Sequence, residues 1–463
     1  MTNTRKKNGG EVLASGGFGC VFKPSLKCKG KPRSKNKVSK LMTKKHTISE
    51  YNEIMELKKK LKHIPNYQKY FLIDNITKCL PDKLTNNDLA HYTTKCSALQ
   101  KDDISKTNIN KKLNSLMMLT MPDGGEDLGL YIDKITYNKL PHINNLMIEL
   151  LEKGIIPMNK KGIFHNDLKD SNLLFKDTIK IIDWGLSTEY NKHSKTMPSV
   201  WRNRPLQYNV PFSCILFNDT LISMYSEFIK STPTLSEENI RPFVINFIFV
   251  WLKKRGQGHY DAINRIFKNL FLNEIEYVTS EEMMENVIEF GFTNYYIVNY
   301  LSKILLTYTK SNKLDLSEYV SKVFSQILDI WGFVMCYIPI IERLTHRFNT
   351  LNKHEKMLFD ALKNIFVTYL FLPRVEPINI KELIKDINEL NVFFKNCENM
   401  DGKHTFNGIA SGVNTSIYDE DAFLYEKYRH PKTKTAKSKM SPYHKTRKNT
   451  KTKLSEYVNN SKE

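Results

Sequence analysis

Apolar and polar positions alternate in short blocks over residues 11–41, with Gly and Lys between them, which predicts strands joined by hairpins. Residues 27–37 carry six basic side chains and no acidic one, the composition of a solvated hairpin tip. The period then changes. Over 47–62, Ile54, Leu57 and Leu61 fall on one helical face. Residues 80–112 are polar and aperiodic, which predicts an irregular insertion, and 113–121 returns to a strand-like apolar run. A second helix is predicted around 143–153, where Ile143, Leu146, Met147, Leu150 and Leu151 repeat at i, i+3, i+4, i+7, i+8. From about 213 to 400 the apolar stripes are long and helical, with no internal repeat. The most apolar runs, 243–252 and 330–341, are too short to span a bilayer and read as buried helices.

Composition supports a folded chain. Of 463 residues, 41 % are hydrophobic and 11 % aromatic, enough for two lobes or two to three domains around a buried core. The net charge of +21 admits acidic proteins, phosphates, nucleic acid or an anionic surface as partners. About half of that charge lies in Lys427–Lys453, which holds eleven Lys or Arg and no Asp or Glu. Such a segment cannot bury enough apolar surface to fold alone, and predicts salt-sensitive, non-specific contact with nucleic acid or other polyanions, or simply a solvated tail. Seven cysteines, at 20, 28, 79, 96, 214, 336 and 397, form no C-x-x-C pair, which predicts a reduced, intracellular chain. The first ten residues have no apolar core, so no secretory signal is read there and the expectation is a protein that is not secreted.

The chemistry concentrates in His165-Asn166-Asp167-Leu168-Lys169-Asp170-Ser171-Asn172. Phosphoryl transfer needs a carboxylate to orient and deprotonate the attacking hydroxyl, a side chain for a metal ion, and positive charge near the moving group. Asp167 fits the first role, Asn172 the second and Lys169 the third. Eleven residues on, Asp183-Trp184-Gly185 follows the short strand Ile179–Ile182, where a carboxylate at a strand end suits a Mg²⁺ ligand. Upstream, Leu13-Ala14-Ser15-Gly16-Gly17-Phe18-Gly19-Cys20-Val21 is a glycine-rich element able to approach phosphates closely. Lys40, in Val38-Ser39-Lys40-Leu41, would hold α- and β-phosphates. Its partner is expected on the next helix at Glu50, with Glu53 as the alternative.

The order of glycine-rich loop, Lys40, helix Glu, catalytic loop and D-W-G resembles the eukaryotic-type protein kinase superfamily. The match is good over residues 11 to about 211 and weak beyond. The resemblance implies an α+β, bilobal protein-kinase-like fold with a small β-rich N-lobe (11–124) and a large, mostly helical C-lobe (125–420). A helical insertion is expected at about 213–324, with a flexible start (1–10) and a disordered basic tail (421–463). Met121-Pro122-Asp123-Gly124-Gly125-Glu126-Asp127-Leu128 then resembles the hinge between lobes. Thr120 and Met121 would bond adenine through their backbone, Leu119 would line its pocket, and Glu126 or Asp127 would reach the ribose. Leu13, Ser15, Gly16, Gly17, Phe18, Gly19 and Val21 would cover ATP, with Asn172 and Asp183 holding Mg²⁺ or Mn²⁺. Lys169 is the residue of kinases that phosphorylate Ser and Thr of protein substrates; sugar and choline kinases usually lack it. The alternative is a pseudokinase or scaffold with a phosphate- or nucleic-acid-binding tail. The joint presence of Lys40, Asp167, Asn172 and Asp183 disfavours it. More narrowly, the hinge motif, Arg204-Pro205-Leu206-Gln207-Tyr208-Asn209-Val210-Pro211-Phe212-Ser213 and the Lys-rich end are similar to kinases of large nucleocytoplasmic DNA viruses. That narrower resemblance implies host cytoplasm or the virion as the location.

The chain departs from the pattern at three places. Asn166 stands where many kinases have the Arg that pairs with a phosphate on the activation segment, which predicts an enzyme needing no phosphate on Thr188, Ser194, Thr196 or Ser199. Phe212 replaces the Glu of A-P-E. The Asp-x-Trp helix expected soon after that motif is best matched by Asp329-Ile330-Trp331, 118 residues beyond Pro211. Asp329 is expected to cap the catalytic-loop backbone.

Overall fold

In the computed structural model, residues 10–194, 196–232, 234–275 and 280–401 are described; the expectations for the first nine residues and for the basic tail lie outside them. Strands β1 (Glu11–Ser15), β2 (Gly19–Lys23), β3 (Lys37–Thr43), β4 (Thr77–Cys79) and β5 (Leu116–Pro122) form one antiparallel sheet in the order β1-β2-β3-β5-β4. Helix α1 (Lys44–Leu61) lies on one face, burying Ile54, Leu57 and Leu61 in the same core as Met42 and Leu119. Directly paired residues of antiparallel strands share a face. The register Val21↔Lys40↔Leu119 therefore sets these three side chains in a row on the α1 side of the sheet.

The other face is covered by residues 80–112, and here the structure corrects the sequence reading. Leu84, Leu89, Tyr92, Leu99, Ile104 and Ile109 pack onto Val12, Cys20, Phe22, Leu41 and Met118 in a second small core. The helices involved, Tyr92–Lys95 and Ser97–Lys101, span only four and five residues. They are too short to display a period, so a packed layer reads as an irregular loop. The basic tip at 27–37 is likewise anchored rather than freely solvated. Arg33 makes a two-pronged ion pair, at 2.8 and 3.0 Å, with the buried Asp88.

The cysteines also differ from expectation. Cys20 is bonded to Cys96, which ties this layer to β2, and Cys28 to Cys79, which ties the β2–β3 connection to β4. The partners lie 76 and 51 residues apart, a pairing that spacing alone does not reveal. Cys214, Cys336 and Cys397 are buried and lie outside these two bridges. Closing loops of this length stabilises the lobe by about 4 kcal/mol per bridge in the chain-entropy picture. Alkylation of the denatured, unreduced chain is expected to label three cysteines, and all seven after reduction, with a lower melting temperature for the reduced protein. Uptake of seven labels without reductant would show that the bridges do not form.

Beyond the hinge the chain is mostly helical. The predicted helix at 143–153 runs from Leu140 to Leu150 and continues through a wider turn to Lys160. The last helix, Ile380–Asp401, packs on it, with Asn144 donating to the Ile387 carbonyl at 2.9 Å. The stretch Leu316–Thr345 is helical apart from a turn at Cys336–Tyr337, so it is longer than the apolar run 330–341 implies and is long and apolar enough to cross a membrane. Of its 18-residue apolar window, 89 % is buried inside the protein, as in a core helix. Between Asp219 and Thr307 three helices of eleven residues or more, Asp219–Ser231, Glu237–Arg255 and Tyr260–Leu270, precede the helix Asn294–Thr307. They share one hydrophobic core with the rest of the large lobe.

Candidate active site

The β-sheet lobe presents an ion pair at the cleft. Lys40 Nζ donates to both Glu50 carboxylate oxygens at 2.9 Å, while Glu53 is turned outward and accepts from the Ser49 hydroxyl. Burial pushes the Glu50 carboxyl above its usual range, against the pull of Lys40. The glycine-rich turn closes with Gly16 N–H bonded to the Gly19 carbonyl at 2.8 Å. Its glycines differ in what they permit. A Cβ on Gly16 would lie 3.8 Å from Lys40 Cε, and one on Gly17 would meet nothing, so this part of the turn is an open cradle beside Lys40. A Cβ on Gly19 would strike the Leu41 carbonyl at 2.5 Å, so that glycine is required by strand packing. Ser15 is diverted: its hydroxyl accepts from Ala98 N–H at 3.0 Å and from the Ser97 hydroxyl. Only its backbone is left for a nucleotide. Leu13 and Phe18 are exposed, and Phe18 stacks on His46 of α1 at 4.6 Å.

At the hinge, Leu119 is fully buried and Thr120 is flanked by β3 and β4, its hydroxyl shared with Thr77. Met121, paired only with β3 among the strands, is the next-to-last residue of β5. Glu126 is held by Lys134, and Asp127 caps the helix Leu128–Ile132 by accepting from Leu130 N–H. Both side chains named for the ribose thus have partners within the protein. Gly125 sits at φ +106° with the Phe175 carbonyl where a Cβ would go, so the crossing between lobes admits only glycine there.

The catalytic loop is fixed from below. Asp329, on the helix Ser325–Met335, is 1 % exposed, and its two oxygens accept from His165 N–H and Asn166 N–H, each at 2.9 Å. Its Oδ2 also accepts from Asn159 Nδ2 at 2.7 Å. Trp184 of the D-W-G segment packs edge-on against His165 at 5.0 Å and Phe71 at 5.6 Å, joining the two lobes through aromatic contacts. His165 Nε2 donates to the Ile182 carbonyl, placing Asp183 just beyond. Asp183 adopts a left-handed backbone, φ 61°, which Asp tolerates better than most residues.

The Asp167 carboxylate is surrounded by donors. Oδ2 accepts from Lys169 Nζ and Asn172 Nδ2, both at 3.0 Å, and Oδ1 accepts from Asn209 Nδ2 at 2.7 Å. Burial alone would raise its pKa; Lys169 and Asn209 together hold it below the usual range, so it stays ionised near neutral pH. Asp170, next along, is pushed up to about 6 by burial and by the neighbouring Asp127. Asn172 spends its NH₂ group on Asp167, which leaves its amide oxygen for a cation.

Sequence reasoning missed three residues of this site. Asn166 Nδ2 donates to the Leu186 carbonyl at 2.6 Å, and its Oδ1 accepts from Trp201 Nε1 at 2.7 Å. Arg204 donates to the Asn166 carbonyl at 3.0 Å. Trp201, Arg204 and Asn209 were each visible as residue types, but no local spacing ties them to a loop more than 30 residues away. The segment after D-W-G is held further by strand pairing of Thr188–Glu189 with Ile163–Phe164 and by a Lys60–Glu189 ion pair.

The family model for the protein kinase domain matches residues 8–204. A cyclin-dependent kinase 11 from Dictyostelium discoideum is 32 % identical over 171 residues, 36 % of this chain and 43 % of that protein. The interferon-induced, double-stranded RNA-activated protein kinase of Rattus norvegicus is 26 % identical over 183 residues, 38 % of this chain and 31 % of its own. Calcium-dependent protein kinase 6 of Plasmodium berghei is 30 % identical over 167 residues, 29 % of this chain and 11 % of its own. The chain thus spans less than half the length of each of these curated relatives. The match ends at residue 204, and the β-rich N-terminal sheet with the mostly helical part that follows it fits the bilobal kinase fold.

Proposed function

We propose that this protein transfers the γ-phosphate of ATP to Ser or Thr hydroxyls of protein substrates. The observation that carries the proposal is the assembled arrangement: Lys40 paired with Glu50 across the cleft from an ionised Asp167 flanked by Lys169 and Asn172. In this reading Lys40 binds the α- and β-phosphates, and the open turn at Gly16 and Gly17 covers them. Leu119 lines the adenine pocket, and the backbone of Met121 bonds the base. Asp167 orients the acceptor hydroxyl and takes its proton as the new P–O bond forms. Lys169 stabilises charge on the transferred group.

Mg²⁺ binds through one or two protein ligands plus phosphate oxygens and water. A pair made of the Asn172 amide oxygen and the Asp183 carboxylate fits that habit, and no group of three His, Cys, Asp or Glu suited to a metal occurs among the described residues. A cation held there would neutralise charge building up between the β- and γ-phosphates. Lys169 and the protein-kinase names of the relatives at low identity support Ser/Thr specificity. The hinge motif and the Lys-rich end support a viral origin, with action in host cytoplasm or the virion. The basic tail would add salt-sensitive contact with polyanions.

Asn166 supports a second part of the reading, a site that needs no activation-segment phosphate. The position where Arg would await a phosphate is occupied by a side chain already bonded at both ends to Leu186 and Trp201. Purified protein with labelled ATP, Mg²⁺ and a mixed protein extract is expected to yield labelled Ser and Thr. The chain with Thr188, Ser194, Thr196 and Ser199 all replaced by Ala is expected to work at a rate close to the parent. Absence of transfer by the parent would remove the kinase reading; loss only in the folded quadruple variant would remove the phosphate-free one.

A further inference from the structure

Asp167 receives two donors from its own loop, Lys169 and Asn172, and both converge on Oδ2. The other oxygen, Oδ1, is met from outside the loop. Asn209 Nδ2 reaches it at 2.7 Å and also touches the Leu168 carbonyl at 3.3 Å. Asn209 is 1 % exposed, and its own Oδ1 has no partner. The opposite amide orientation would set that oxygen against the Asp167 carboxylate, so the donor assignment follows from charge.

We infer that Asn209 is a positioning residue for the catalytic base, fixing the rotation of the Asp167 carboxylate, and that the helices between residues 219 and 307 brace it there. The inference rests on the kinase reading of Asp167. Asn209 does not meet the nucleotide; it acts through Asp167.

The bracing is explicit in the backbone around it. Trp331 Nε1 donates to the Tyr208 carbonyl at 2.7 Å, and Gly332 packs so closely that a Cβ would lie 2.6 Å from the Leu168 carbonyl and 3.1 Å from that of Asn209. The helix that caps the catalytic loop with Asp329 therefore also grips the Asn209 segment. From the other side, Trp251 Nε1 of the helix Glu237–Arg255 donates to the Arg204 carbonyl at 3.0 Å. His259 N–H donates to the Leu206 carbonyl at 2.8 Å. Residues 204–209 are thus clamped between the central helix and the inserted helices, and Asn209 is the side chain through which that clamp meets the base. The inserted helices are part of the active-site support rather than an appended module.

With two fixed donors on Oδ2 and one on Oδ1, the carboxylate cannot rotate without breaking a bond, and a lone pair on Oδ1 remains for the acceptor hydroxyl. Asn209→Leu keeps the volume and loses the donor. At neutral pH kcat is expected to fall on the order of tenfold with KM for ATP unchanged. In an Asp167→Asn background the same change is expected to cost almost nothing, since the group it positions is gone. Asn209→Ala is the second variant should the larger side chain fail to fold.

Steady-state kinetics of the single and double variants, run beside thermal melts, separate the possibilities. An unchanged kcat in a folded variant overturns the inference, as does full additivity with Asp167→Asn. A parent enzyme that transfers no phosphate overturns the kinase reading instead.

Discussion

Asp167→Asn is expected to lower kcat by about 10³-fold, the range for removing a positioned general base, while nucleotide affinity is retained. The substitution is close in shape and removes one capability, accepting a proton. Asn in place of the carboxylate must also face three donors, Lys169, Asn172 and Asn209, with only one acceptor oxygen. The amide NH₂ would then oppose at least one of them, so part of the loss comes from a loop that no longer holds its geometry. Lys40, the Gly16–Gly17 cradle and Leu119 lie on the other lobe and are untouched. Single-turnover kinetics together with nucleotide titration check this directly. An unchanged rate would mean that Asp167 is not the base.

Asp329→Ala is expected to destabilise the protein by about 3–9 kcal/mol and to abolish turnover. Three donors lose their acceptor at once: the backbone N–H groups of His165 and Asn166 and the amide of Asn159. Each buried donor left unpaired costs about 1–3 kcal/mol, and the sum is comparable with the whole stability of an ordinary domain. Asn166 also holds a left-handed backbone, φ 67°, which the surrounding bonds must maintain. Without the cap, the peptide at 165–166 is free to turn, and Asp167 turns with it. Denaturant melts of the variant report the first effect and kcat the second. A midpoint equal to that of the parent would show that water satisfies these groups.

What the sequence discloses and what it hides follow a physical rule. Helix α1 is legible because Ile54, Leu57 and Leu61 repeat within one helix, and the catalytic loop is legible because its chemistry is packed into eight consecutive residues. Asp329 is legible through a short local pattern, even though it acts 164 residues from His165. Asn209 sits inside a stretch that can be quoted from the sequence, yet nothing local says that its amide meets Asp167, 42 residues back. The same holds for Trp201 and Arg204, whose meaning depends on where Asn166 points. The layer at 80–112 and the two disulfides were hidden because short helices lack a period and because cysteines 51 and 76 residues apart carry no spacing signal. In each case the missing information is long-range contact.

The distance between His165 and its cap has a meaning in time. Protein synthesis adds about 5–20 residues per second, so the 164 residues separating His165 from Asp329 take roughly ten to thirty seconds to appear. For most of that interval the ribosome has delivered residues 11–185 but not the helix that caps the 165–166 peptide, and Trp201, Phe212 and Ile215 have no finished core to enter. Residues 8–204, the part similar to known kinase domains, are therefore expected not to fold when expressed by themselves. A truncation short of the central helix is expected to keep residues 165–185 and to lose the carboxylate that holds the 165–166 peptide.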